Sequence, residues 1–161
     1  MSRLTTDIAA LVLRVTAGAI FLPHGWSKVA GEGGAASFAA DIAASYHIPV
    51  LFGYLAAYAE CFGAALLIAG LITRVDALLL ACTMFVATFI VQLPDALYEV
   101  PPGAIKAFVA MRAIETPLAL FAMALALVLT GGGRFSLDHL LRVEQLLRKK
   151  KTAAGAAVSA V

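Results

Sequence analysis

The apolar positions of this chain come in long unbroken blocks rather than in alternating or striped patterns. Four blocks stand out, at about residues 8–26, 49–72, 77–93 and 114–129. Each has roughly the 20 mostly apolar residues that a helix needs to cross a bilayer. Their edges carry helix punctuation. Pro49 suits the first turn of the second block, the third stops at Pro94, and the fourth opens with Glu115 and Pro117 and ends at Gly131-Gly132-Gly133. The pattern predicts an all-α membrane protein whose residues 1–133 form a four-helix transmembrane bundle.

The stretches between the blocks predict smaller pieces. Residues 31–47 place Phe38, Ile42 and Tyr46 at helical spacing with Asp41 and Ser45 between them, which reads as a short surface helix. Residues 95–113 hold Pro101-Pro102-Gly103 followed by "AIKAFVAM", too short to span and better suited to an interfacial or re-entrant piece. Residues 134–151 put leucines and a valine at spacings of three and four opposite a basic face. This is an amphipathic interfacial helix, capped by Ser136 or Asp138, that would lie along anionic lipid. Residues 152–161 read as a flexible tail. Ala17-Gly18-Ala19 imitates a cleavage site, but Arg14 interrupts the apolar run and the hydrophobicity continues past it, so the first block reads as a retained span.

Composition agrees with the pattern. The 161 residues are 62% hydrophobic and 14% charged, with a mean hydropathy of +0.94, against about 45–50% and about 25% for soluble domains. A net charge of +2 is too small to point to nucleic acid. Cys61 and Cys82 form no metal-ligand spacing and read as small buried hydrophobes, so no metal site is expected. Four spans put Arg3, Arg74, Arg134, Arg142, Arg148 and Lys149 to Lys151 on one side, against Lys28, Lys106 and Arg112 on the other. That asymmetry places both termini in the cytoplasm.

Charges inside the blocks then become the candidate chemistry. Arg14 lies about six residues into the first block, roughly 9 Å deep. Glu60 lies near the middle of the second, where a lone carboxylate is either paired or protonated. Arg14 is the span-embedded base that could meet it, unless the arginine snorkels to the surface. Arg14, Gly18 and Lys28 share one helical stripe with His24 on the same side, while Gly63 sits beside Glu60 and Glu115 opens the last block level with His24 and Lys28. The expectation is one polar pocket in the bundle formed by Arg14, His24, Lys28, Glu60 and Glu115, with Gly18 and Gly63 leaving space for a guest. Gln92 is a weaker addition. Trp26 and Tyr98 read as interfacial anchors. Pure helix registration is the competing reading of the same charges.

These residues carry a resemblance. "LRVTAGAIFLPHGWSKV", "AECFGAALLIAGLITR", Glu115 and "GGGRFSLD" occur in the order found in the DoxX family of small bacterial integral membrane proteins, over most of Leu11 to Asp138. The resemblance implies four transmembrane helices. It also implies a redox connection, since the family's name comes from a subunit of a thiosulfate:quinone oxidoreductase and related members are described as partners of redox enzymes. Where many relatives have a histidine before Leu-Pro, this chain has Gln92-Leu93-Pro94, which argues against a haem or metal role.

Three functions follow as expectations. The first is a redox-associated, quinone-linked membrane subunit in which His24 and Lys28 bond a quinone's carbonyl oxygens and Glu60 with Glu115 handles protons. Its electrons would come from a partner redox enzyme, because the chain has no phosphate loop, nucleophile motif or unaided cofactor site. The second is a small-molecule or proton carrier or channel, for which four spans would need a homodimer. The third is a membrane anchor or interaction module that docks a partner enzyme through the basic C-terminal helix.

Overall fold

The computed structural model describes residues 3–99 and 104–141. The described elements are α1 (Arg3–Ala30), α2 (Gly34–Tyr46), α3 (Val50–Tyr58), a first π-helical segment (Ala59–Gly63), α4 (Ala64–Ala69), α5 (Thr73–Val86), a second π-helical segment (Ala87–Gln92), α6 (Leu93–Glu99), α7 (Ala104–Thr130) and α8 (Leu137–Leu140). Four continuous helical stretches are long and apolar enough to cross a membrane: Leu4–Ala30, Val50–Ala69, Thr73–Tyr98 and Ile105–Thr130. The second is built of α3, the first π segment and α4, and the third of α5, the second π segment and α6.

Three expectations about the segments change. The third span does not stop at Pro94: the second π segment ends just before it, and the Leu93 N–H reaches back to the Thr88 carbonyl. This wider turn absorbs the ladder bond that a proline cannot make. The "AIKAFVAM" stretch is not a separate piece. It forms the opening turns of α7, which runs on through Pro117 without a break. The third span also begins earlier than Ala77, so that Asp76 lies inside it. The surface helix is present as α2. Of the C-terminal amphipathic helix only the start is described: Ser136 caps α8 by accepting from the His139 N–H. The rest of that helix and the tail (142–161) lie outside the described residues.

The centre of the bundle is an apolar core, not a polar hollow. Ala17, Phe21, Leu67, Leu80 and Leu127 are fully buried and pack together with small alanines that let the helices approach. Side chains such as Leu51, Val75 and Leu129 point outward, as a hydrocarbon solvent requires. Gly18 belongs to this packing. A Cβ there would fall 2.4 Å from the Ile68 side chain and 2.9 Å from the Ala64 carbonyl, so Gly18 is a helix crossing and opens no space for a guest.

At the end where the two ends of the described chain meet, the buried Arg14 resolves a problem of helix termination. The last carbonyls of α4 lack partners in their own helix, and hydrocarbon offers no water to bond them. Arg14, wholly buried, directs Nη1 at the Leu67 and Ile68 carbonyls (3.4 and 3.3 Å) and Nη2 at the Phe135 carbonyl (2.7 Å). The expected Arg14–Glu60 pair therefore does not form. The antiparallel spans bring Arg14 level with residues 67–68, about two turns from Glu60, and main-chain oxygens take the guanidinium.

The same knot fixes the turn between the second and third spans. Gly70 closes α4 in the left-handed region (φ 72°), its N–H reaching the Leu66 and Leu67 carbonyls and the Leu71 N–H reaching Leu66. A Cβ on Gly70 would lie 1.9 Å from Arg14 Nη1. Ile72 is also left-handed (φ 52°), a strained conformation for a β-branched residue. Asp138 holds it there, accepting from the Ile72 and Thr73 N–H groups (2.6 and 2.8 Å) and so capping α5 as well. Its carboxylate is close enough to act electrostatically on Arg14. Asp7 accepts from the Arg134 N–H (3.0 Å) and ties the start of α1 to the same loop.

Two outcomes are expected in reversible unfolding of the detergent-solubilised protein. Arg14→Gln should cost about 3 kcal/mol or more, because buried carbonyls lose charged donors; Arg14→Lys should recover only part, since one ammonium cannot fork across two chain segments. Gly70→Ala should cost well over the ordinary left-handed penalty of about 1 kcal/mol, and only part of the excess should disappear in an Arg14→Ala background, because the new Cβ would still lie 2.7 Å from the Ser136 Cβ.

Candidate functional site

At the opposite end of the bundle the sequence builds a second polar feature. Gly25 lets α1 press against the first π segment: a Cβ there would fall 2.3 Å from the Cys61 nitrogen and 2.4 Å from the Glu60 carbonyl carbon. One turn later on α1, Lys28 Nζ meets Glu60 Oε1 at 2.5 Å. The Glu60 side chain is 3% exposed and that of Lys28 is 24% exposed, so the lysine is the member of the pair that still faces outward. Its ammonium also sits 4.8 Å from the centre of the Phe38 ring on α2, a cation–π contact.

This ion pair lies in the wall of a half-open cavity of about 600 Å³ bordered by α2, the second span and the third span. The lining is mostly apolar, with Phe38 and Ile42 from α2, Phe52 from α3, and Ile90 and Val91 from the third span. Besides Lys28 and Glu60, its polar side chains are Cys82, Thr83 and Gln92. The Thr83 hydroxyl already donates to the Leu80 carbonyl (2.9 Å), which leaves it an acceptor for anything in the cavity. Both π segments contribute lining residues, Glu60 from one and Ala87, Ile90, Val91 and Gln92 from the other. Such wide turns rotate side chains off the ordinary helical stripe and occur often at functional sites. On the rim, Tyr46 of α2 donates a hydrogen bond to Asp95 of α6, fastening the surface helix across the top.

The residues expected in one pocket are thus distributed over several places. Lys28 and Glu60 come together and line the cavity, and Gln92 joins them. Arg14 is at the far end of the bundle in the knot described above. His24 is exposed, and its carbonyl merely accepts from the Ser27 hydroxyl. Glu115 is exposed and paired within α7 to Arg112 at 2.9 Å. Neither lines the cavity. Gly63 opens toward α5, where its missing Cβ would fall 2.6 Å from Asp76 Oδ1. Cys61 is buried as expected, whereas Cys82 is exposed to the cavity. Among the described residues no group of three or more His, Cys, Asp or Glu side chains could hold a metal.

Two participants escape sequence reasoning. Gly25 is one turn before Lys28, a spacing that signals a close crossing directly beneath the lysine, yet the neighbouring histidine is the more conspicuous residue. The π segments leave no trace in hydrophobic periodicity, so the direction of Glu60 could not be read from its phase.

The chain matches the DoxX family over residues 9–93. It is also 37% identical over 87 residues to the Bacillus subtilis (strain 168) protein named "Putative oxidoreductase CatD", a match that covers 54% of this chain and 62% of that relative. The chain therefore spans less than two thirds of the relative's length. No solved structure matches the chain. The matched region takes in the first span, the surface helix, the second span and most of the third, and so contains the cavity lining with Lys28 and Glu60, and Arg14 but not its C-terminal partners; the chain belongs to the DoxX family of membrane proteins.

Proposed function

We propose that this protein is the membrane-embedded, quinone-binding subunit of a redox system. The observation that carries the reading is an apolar cavity of about 600 Å³ with a buried ion pair in its wall. That volume lies within the range of about 300–1,000 Å³ typical of small-molecule sites. A quinone-sized guest would lay its hydrocarbon along Phe52, Ile90 and Val91 and turn its carbonyl oxygens to the Lys28 ammonium. Glu60 is the adjacent group able to give or take a proton. His24 and Glu115 have no part in this revised assignment. Electrons would come from a partner redox enzyme, a role in keeping with a relative named as an oxidoreductase. The excess of Lys and Arg in the connections at the termini end, Arg74 and Arg134 among them, supports a cytoplasmic position for that end in a bacterial inner membrane.

The test is binding of decylubiquinone to the purified full chain in nanodiscs. Ala56 lines the cavity, so Ala56→Phe should fill part of it and weaken binding at least tenfold, roughly 1.4 kcal/mol. Lys28→Met should weaken it as well, while Glu115→Gln should leave it unchanged. Binding that ignores Ala56→Phe and Lys28→Met but responds to Glu115→Gln would move the site elsewhere.

A further inference from the structure

Beneath the cavity lies a carboxylate that the proposed binding step does not use. Asp76, in the first turn of α5, is 6% exposed, and its Oδ2 is buried without a hydrogen-bond partner. It shares a face of α5 with Leu79 and Thr83, three and seven residues on, and both of these line the cavity. Asp76 therefore stands about one turn below the cavity floor. Its other oxygen projects at Gly63, where a Cβ would come within 2.6 Å of it. Gly63 closes the π segment that carries Glu60, so Asp76 Oδ1 packs directly against the turn that bears the second carboxylate.

The column continues away from the cavity. Thr73, one turn before Asp76, is fully buried, and its Oγ1 also lacks a partner. It sits against Gly132, where a Cβ would fall 2.7 Å from that hydroxyl, and its N–H is held by Asp138. Of the charged side chains on neighbouring elements, Glu60 with Lys28 stands above Asp76, and Asp138 with Arg14 stands below it in the knot. Unpaired polar atoms are costly in hydrocarbon, and ionisable groups inside spans are candidate functional groups, proton relays among them. Nothing in the packing of the knot requires Asp76.

We propose that Asp76 is a proton relay that connects the termini end of the bundle to Glu60. In this step the Asp76 carboxyl gives its proton to the Glu60 carboxylate, directly or over one bridging water, and Glu60 releases Lys28 as it is neutralised. Asp76 is then reprotonated from the termini end by way of the Thr73 hydroxyl. No electron moves in this step. Asp76 acts only through Glu60 and does not itself touch the guest. The inference rests on the reading that Glu60 exchanges protons with whatever occupies the cavity, but it is tested with the cavity empty, so the two can fail separately.

The experiment is a pH jump on the full-length protein in liposomes of phosphatidylethanolamine and phosphatidylglycerol. Time-resolved infrared absorption follows the protonated-carboxyl band that Glu60→Gln removes. Asp76→Asn keeps the volume of the side chain and should slow protonation of Glu60 roughly a hundredfold, the low end of what a positioned proton-transfer group contributes. Gly63→Ala retains both carboxylates but pushes Asp76 Oδ1 away from the Glu60 turn, and should slow it comparably. Asp76→Glu should restore most of the rate, which a purely structural role would not produce. If Asp76→Asn does not fold, Gly63→Ala and Asp76→Glu still decide the matter. Wild-type protonation rates in Asp76→Asn or Gly63→Ala, or a Glu60 that takes no proton at any pH the fold survives, would overturn the relay.

Discussion

Within a bilayer the ends of helices are the difficult part of a fold, because their last carbonyls have neither a partner in the helix nor water to replace one. Arg14 meets that constraint here. One guanidinium bonds carbonyls at the end of the second span and a carbonyl of the chain that follows the fourth. It thereby gathers the first span, the second and the C-terminal loop at one point, with Asp138 fixing the start of the third. A charge that looks like active-site chemistry in the sequence is committed to holding the bundle together.

With Arg14 occupied, the remaining charges sort themselves by depth. Glu60 is left to Lys28, which reaches it because Gly25 allows α1 to approach the π turn. The result is two polar features separated by an apolar core, each with its own task. The knot at the termini end closes over main-chain groups. The pair at the other end faces a cavity that the rest of the family region, residues 9–93, lines. Asp76 lies between the two and belongs to neither by hydrogen bonding.

Much of the architecture is legible from the sequence because the bilayer imposes it. The four spans, the surface helix and the Ser136 cap follow from apolar block length and from cap chemistry, both local properties. The extents of the third and fourth spans were less accessible, since a proline reads as a stop unless a π turn is known to precede it. Side-chain partnership was the least legible. Carbonyl acceptors have no residue signature, so Arg14 invites pairing with Glu60, the carboxylate near the middle of the second apolar block. An apolar block that opens at Ala77 excludes Asp76, and nothing in the residue type reveals that the helix begins a turn earlier and buries it. Asp138 was readable as a helix cap, but for the helix it begins rather than for α5, sixty-odd positions earlier.

The central claim is that the intramembrane carboxylate belongs to Lys28 and the cavity, while Arg14 belongs to the backbone. Magic-angle-spinning NMR of the full chain in lipid, with nitrogen-15 in the lysine and arginine side chains and carbon-13 in the glutamate carboxyls, measures this directly. The account predicts a strong dipolar coupling from Lys28 Nζ to the Glu60 carboxyl, weakened on adding decylubiquinone, and no coupling from Arg14 to Glu60. An Arg14–Glu60 coupling, or a Lys28–Glu60 coupling that does not respond to the quinone, would contradict it.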